Sequence, residues 1–274
     1  MIKRFDCDRQ WREMRSEMAS LGEDQGFGAM PRQTKFGDAA ARKAGLIPFE
    51  EISPVTLIDP KDYKEVITDC HAKKIFPIYH KKVGWAPTGF RWNQNGLGYC
   101  WTWGGTGAFM DTRAREGKES VLLSPVSMGF LVGWRNRGNY LESFIQGARD
   151  HGIAPMEYTP DQHSTNYRDF KAGWEEAAYQ YRLPPDGVWD TNPSKMTQYV
   201  ITILSTGTPL YIAYNWWGHA LSTCSVLWDE SVPNNIVFQN QNSHDEDDVI
   251  EMTGSRAIPD EAYGFPSTLT TLAV

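Results

Sequence analysis

The chain contains no apolar run near the ~20 residues that a bilayer-spanning helix requires, so no membrane partner is expected. Its first residues, MIKRFDCDRQWREMRSEM, interleave charged and apolar side chains and lack the apolar stretch of a signal peptide. Cysteine is scarce: Cys7, Cys70, Cys100 and Cys224 are far apart and form no CxxC pair. In a chain of 274 residues this argues against a disulfide framework and for a reducing compartment, the cytoplasm or a virion. Positive charge is in deficit, with a formal net charge of −7, which argues against a nucleic-acid surface, usually basic. His71, His80, His151 and His163 show no ligand spacing, and the acidic run His244–Asp248 lacks that of an EF-hand and reads as a solvated loop. No metal and no cofactor are expected. Internal repeats and low-complexity tracts are also missing.

What is abundant is aromatic surface, with 11 Trp, 12 Tyr and 12 Phe, enough to build a bulky core. Trp11, Met14, Met18 and Leu21 recur at helical spacing near the N-terminus. From Gly22 to about Pro60 the chain is rich in Gly, Pro and polar residues, which suggests an N-terminal extension over residues 1–60, an arm or a prosegment, before a compact domain over 61–274. Leu141, Phe144, Ile145 and Ala148 predict a helix over Tyr140–Asp150 that stops at Gly152. Tyr167, Phe170, Trp174, Ala178 and Tyr181 predict another. Ser194 is placed to cap a third, whose apolar face is Met196, Tyr199, Val200 and Ile203. After Gly207 and Pro209 the character changes: PLYIAY, ALSTCSVLW and NIVFQ are short β-branched and aromatic runs that read as strands. Helices early and strands late, without βαβ alternation, indicate an α+β fold.

The chemistry-bearing residues lie at the joints of this pattern. Cys100 opens a predicted buried helix, CWTWGGTGAFMDTRARE, behind the Gly-rich loop Asn93–Tyr99. A helix N-terminus and a nearby imidazolium both lower a thiol pKa, and the thiolate is the nucleophile. Three early glycines disfavour a helix by roughly 1 kcal/mol each and make sense where another backbone packs closely. His219 begins one strand and Asn240 ends the next. Two adjacent antiparallel strands could join them, and a Cys with a His oriented by an amide is a nucleophile-base arrangement.

These residues resemble the papain-like cysteine peptidase family. Gln94-Asn95-Gly96-Leu97-Gly98-Tyr99-Cys100-Trp101 is similar to its motif of a Gln six residues before a Cys-Trp pair. Leu123–Ser127, Asn136–Asn139, Gly152-Ile153 with Tyr158, Thr208–Ala213 and Gly218–Leu221 resemble further family segments in the family's order. The resemblance implies a two-lobed α+β structure, one lobe helical and one β-barrel-like, with substrate in the cleft between them. It implies Cys100 as nucleophile, His219 as acid and base, Asn240 as the orienting amide, and Gln94 with the Cys100 N–H as the oxyanion hole. Gly138, Asn139, Trp101, Trp217 and Gly218 become candidate contacts to a peptide or protein substrate.

The sequence departs from the family in three places. The Cys-to-His separation is shorter than the ~130–150 residues of papain and the cathepsins. Leu97 stands near a family cysteine. Asn242 replaces the family's Trp after the Asn, which makes Asn242 the second candidate for the orienting amide. The alternative to a peptidase is a papain-like domain in a structural or assembly role, such as a virion component, which would meet its partner through the N-terminal extension.

Overall fold

The computed structural model describes residues 2–19, 29–30, 42–43, 46–51, 56–84, 92–133, 138–184, 187–190, 192–243 and 249–265. Its strands are β1 (Lys3–Asp6), β2 (Leu46–Pro48), β3 (Gly187–Asp190), β4 (Leu210–Tyr214), β5 (His219–Trp228), β6 (Ile236–Gln241), β7 (Val249–Thr253) and β8 (Glu261–Gly264). They form one eight-stranded sheet in the order β1-β7-β6-β5-β4-β8-β3-β2. The sheet is open and its edge strands are only four and three residues long, so the barrel-like lobe expected from the sequence is not closed.

The sheet is covered on both faces. In β4, Tyr211 and Ala213 join one apolar cluster while Leu210, Ile212 and Tyr214 join the other, as the two-residue period of a strand requires. That explains why PLYIAY is apolar throughout. The first cluster holds the helices α4 (Cys100–Arg115), α5 (Pro125–Leu131) and α6 (Leu141–Asp150). The second holds α1 (Cys7–Ala19), α2 (Tyr63–Ala72) and α8 (Met196–Ser205). Two further helices are α3 (Pro77–Gly84) and α7 (Trp174–Tyr179).

Residues 3–19 are built into the fold. β1 pairs in parallel with β7, matching Lys3 to Ile250 and Asp6 to Thr253. Arg4 forms ion pairs with Glu251 and Asp229. The Asp8 carboxylate accepts from the Ser255 amide and hydroxyl and from the Arg256 amide. Met14 is buried, whereas the side chain of Met18 and all of Leu21 lie outside the described residues.

The helix α4 is buried from Cys100 to Thr112. Its glycines permit this: a Cβ on Gly104 would lie 2.9 Å from the Leu221 backbone nitrogen, so only glycine lets α4 lie against β5. A Cβ on Gly105 would lie 2.3 Å from the Phe144 ring, which is fully buried. Gly105→Ala gains about 1 kcal/mol of helix propensity, but overpacking typically costs about 1–3 kcal/mol. A net loss is expected, read as a lower thermal unfolding midpoint. An unchanged or higher midpoint would mean that Phe144 yields without cost.

The helix α6 runs where its apolar spacing places it, and Gly152, at φ +87°, packs against the Ala178 carbonyl. The helix expected across Tyr167–Tyr181 is interrupted. Tyr167–Asp169 is a single 3₁₀ turn, and Gly173, at φ +85°, starts a separate α7. α8 begins at Met196 without a side-chain cap, because the Ser194 hydroxyl bonds Asn192 Oδ1 instead.

Candidate active site

Cys100 is the first residue of α4 and is fully buried. Its sulfur lies 3.9 Å from the Gly218 carbonyl and accepts from the Ala220 amide at 3.4 Å. Those groups flank His219, so the tight packing of α4 on β5 delivers the thiol to the histidine's own backbone. Gly218, at φ +64°, makes the turn that starts β5. His219 is also fully buried.

The imidazole Nε2 meets Asn242 Oδ1 at 3.0 Å. Asn240 lies elsewhere, with its Oδ1 accepting from Thr223 Oγ1 and its Nδ2 donating to Tyr214 Oη and toward Met252 Sδ. The strand register explains this difference from the sequence reading. β5 and β6 pair Ser222 with Gln241 and Thr223 with Asn240. Asn240 is therefore opposite a residue four places beyond His219, roughly 13 Å along the strand at 3.3 Å per residue. One step past the Ser222–Gln241 pair, Asn242 falls opposite Leu221, within diagonal reach of His219.

Gln94 is held by the residue next to Asn242. Its backbone amide donates to the Ser243 carbonyl, and its Oε1 accepts from Ser243 Oγ at 2.6 Å. Its Nε2 donates to the Leu97 carbonyl across the turn at Asn95-Gly96. The segment Asn242-Ser243 thus fixes both the imidazole and the glutamine amide, and Ser243 is a contributor that sequence spacing gave no signal for.

Burial pushes the Cys100 thiol up to about 12, against the pull of the Ala220, Trp101 and Cys100 amides. Burial also lowers His219 to about 4, and the Asn242 hydrogen bond only partly offsets this. Burial thus favours the neutral form of both groups in this covered state.

Part of the cover comes from the N-terminal extension. Ala29 donates its N–H to the Gly218 carbonyl at 3.1 Å, and Met30 donates to the Asn139 carbonyl at 3.0 Å. Ala29 and Asn139 form a parallel bridge, and Ala29 is buried. The Gly218 carbonyl that borders the thiol is therefore the one that holds this two-residue strand. Asn139 also accepts, through Oδ1, from the Tyr140 amide and the Ser143 hydroxyl at the start of α6. Gly138, at φ +70°, precedes it. Asn136 and Arg137 lie outside the described residues.

Trp101, a candidate substrate contact, has no exposed surface and packs in the first cluster, where its carbonyl accepts from Tyr211 Oη. Trp217 is nearly buried, with its ring edge-on to His219 at 4.5 Å between centroids. None of the four cysteines forms a disulfide, and all are buried. Among the described residues, no group of three potential metal ligands occurs, and no helix is long and apolar enough to cross a membrane. The acidic run from His244 lies outside the described residues.

Solved structures share this architecture. A digestive procathepsin L 3 from Tenebrio molitor larval midgut aligns over 93% of this chain and 90% of its own, at TM-score 0.54 and 12% identity. The chain has the papain-like cysteine protease fold. A recombinant stem bromelain precursor aligns over 94% of this chain and 89% of its own, at TM-score 0.53 and 14% identity. Xylellain, a cysteine protease from Xylella fastidiosa, covers 67% of this chain and 84% of its own, at TM-score 0.50 and 15% identity. No family model matches the sequence, and a comparison with curated proteins finds no match. At these identities the shared property is the papain-like fold, and the chemistry must be argued from this chain's own residues.

Proposed function

We propose that this protein hydrolyses peptide bonds by acyl transfer to Cys100. The observation that carries the reading is the seat of the Cys100 sulfur, at a helix N-terminus and between the two backbone groups that flank an Asn-bonded histidine. His219 takes the thiol proton through Nδ1, because Nε2 is engaged by Asn242. The thiolate attacks the substrate carbonyl carbon, and an S–C bond forms. The C–N bond then breaks, with His219 returning the proton to the leaving amine. Water, deprotonated by His219, attacks the thioester and releases the acid and the thiol. The Cys100 N–H and Gln94 Nε2 are the donors for the oxyanion. Each such donor lowers a barrier by roughly 3–4 kcal/mol in comparable sites.

Asn242 takes the orienting role in this reading, so Asn242→Ala and Asn240→Ala should differ. Asn242→Ala should lower kcat by about tenfold or more with a small change in KM, since a misplaced catalytic group loses rate rather than binding. Asn240→Ala removes the buried acceptor of the Thr223 hydroxyl, while Tyr214 Oη keeps the Ala257 carbonyl, and should lower stability by about 1–3 kcal/mol while sparing kcat. Equal kcat losses from the two would remove Asn242 from the proposed site.

The substrate backbone is proposed to donate to the Gly218 and Asn139 carbonyls, which Ala29 and Met30 occupy in this structure. The tethered strand competes at a high local concentration and blocks the cleft until it is displaced. This reading makes the extension inhibitory. The assembly alternative draws on the extension alone, and residues 3–19 of it serve this chain's own sheet. The experiment that tests the function is hydrolysis of a mixed peptide library by the chain with its Ala29–Met30 strand displaced. Cleavage that disappears in Cys100→Ala supports it, and cleavage that survives the substitution refutes it.

A further inference from the structure

The residue before the turn at Gly218 is tied to His219 on one side and to the N-terminal helix on the other. The Trp217 ring stands edge-on to the imidazole at 62° and is 4% exposed, so it covers one side of the histidine. Its indole N–H donates to the Met14 carbonyl of α1 at 3.1 Å. Trp216 stacks on Trp217 at 5.7 Å and 12° and donates its own N–H to the Arg256 carbonyl. The Arg256 guanidinium lies over the Trp11 ring of α1, and the Arg256 amide is held by Asp8 at the start of α1. One helix thus reaches the segment that precedes His219 directly through Met14, and through Arg256 from Asp8 and Trp11.

From this convergence we propose that Trp217 is a positioning residue for His219, and that α1 is a lasting part of the catalytic unit because its Met14 carbonyl sets the Trp217 ring. The proposal rests on the peptidase reading for its kinetic consequence and on contacts alone for its structural one. A buried imidazole has two jobs to keep: one tautomer, with Nε2 donating to Asn242, and one orientation, the one in which the proposed mechanism uses Nδ1 for the thiol proton. A ring packed edge-on against it blocks both rotation and water. The same logic separates two parts of the extension. The strand at Ala29–Met30 covers the cleft and must leave for substrate to enter, whereas residues 3–19 hold the histidine's neighbour and must stay.

The test compares Trp217→Ala and Trp217→Phe in the full chain. The first readout is kinetic, on the chain with its Ala29–Met30 strand displaced. Trp217→Ala should lower kcat by about tenfold to a hundredfold, the scale of a misplaced catalytic group, with KM within about threefold. Trp217→Phe keeps an aromatic ring against the imidazole and should recover kcat to within about fivefold of the wild type. The second readout needs no activity: nitrogen NMR of histidine-labelled chain should show a single Nε2-protonated tautomer for His219 in the wild type and in Trp217→Phe, and a tautomer mixture in Trp217→Ala. A Trp217→Ala chain with unchanged kcat and a single tautomer overturns the proposal. If the wild-type chain hydrolyses no peptide at all, the peptidase reading fails separately, and the tautomer measurement still decides whether Trp217 positions His219.

Discussion

With Ala29 and Met30 both replaced by proline, Cys100 is expected to react with a small alkylating reagent at pH 7 about a hundredfold faster than in the wild-type chain. Proline has no N–H, so the double substitution removes both hydrogen bonds that seat the strand, at the Gly218 and Asn139 carbonyls. The magnitude follows from two opposing terms. Return of the thiol from about 12 to its ordinary 9.0 raises the thiolate fraction at pH 7 by about three orders of magnitude. A less basic thiolate is also less nucleophilic, with a Brønsted coefficient of about 0.45, which takes back about 1.4 orders. Ionisation wins, and easier access to the sulfur adds to the gain. The pH dependence carries the same signature. Alkylation of the wild type should keep climbing from pH 7 to 10, whereas the opened variant should level off at lower pH. Equal rates and equal profiles in the two chains would mean that the strand does not cover the thiol.

His219→Ala is expected to lower kcat/KM for a peptide substrate by about a thousandfold or more in the opened chain, with the unfolding midpoint moving by only a few degrees. In the proposed mechanism one imidazole serves both half-reactions, as the acceptor of the thiol and water protons and as the donor to the leaving amine, so its removal would stop both. The loss should be larger than that from Asn242→Ala, which acts through the imidazole and leaves its proton chemistry in place. The covered histidine, held at about 4, must regain water and a thiolate partner before it carries charge near neutrality. A loss of less than about tenfold on His219→Ala would take this residue out of the reaction, whatever its distance from the thiol.

The residues whose roles follow from order along the chain were legible in the sequence. Cys100 behind a Gly-rich loop, Gln94 six residues upstream and His219 at the head of an apolar strand each combine a residue type with a local pattern; the Cys100 sulfur sits between the carbonyl and the amide that flank His219, and Gln94 is held by Ser243 and Leu97. The glycines of α4 were also legible, because three of them in an otherwise good helix demand close neighbours, which are the β5 backbone at Gly104, the Phe144 ring at Gly105 and the Gln241 side chain at Gly107. The choice between Asn240 and Asn242 was not. It depends on the register of β5 against β6 and on the irregularity between Thr223 and Ser225, neither of which leaves a mark in side-chain periodicity.

Other features were hidden for similar reasons. KRFD is a short, charged stretch with no strand pattern, and it becomes β1 only because β7 offers a free edge. Gly173 ends what looked like one helical run, since the apolar spacing continues across a residue held at positive φ. The strand at Ala29–Met30 acts through its main chain, and backbone donors are the same for nearly every residue type. Hence the extension read as loose, although its first 19 residues supply a strand and a helix to the fold.

The most direct test of the account is labelling of the opened chain, Ala29→Pro with Met30→Pro, by an active-site-directed epoxide electrophile, read by mass spectrometry. Cys7, Cys70 and Cys224, all buried and outside any disulfide, are internal controls. The account predicts that Cys100 alone is labelled, and that His219→Ala in the same chain abolishes the labelling. Labelling that shows no preference for Cys100, or that persists without His219, would contradict an activated nucleophile at the start of α4.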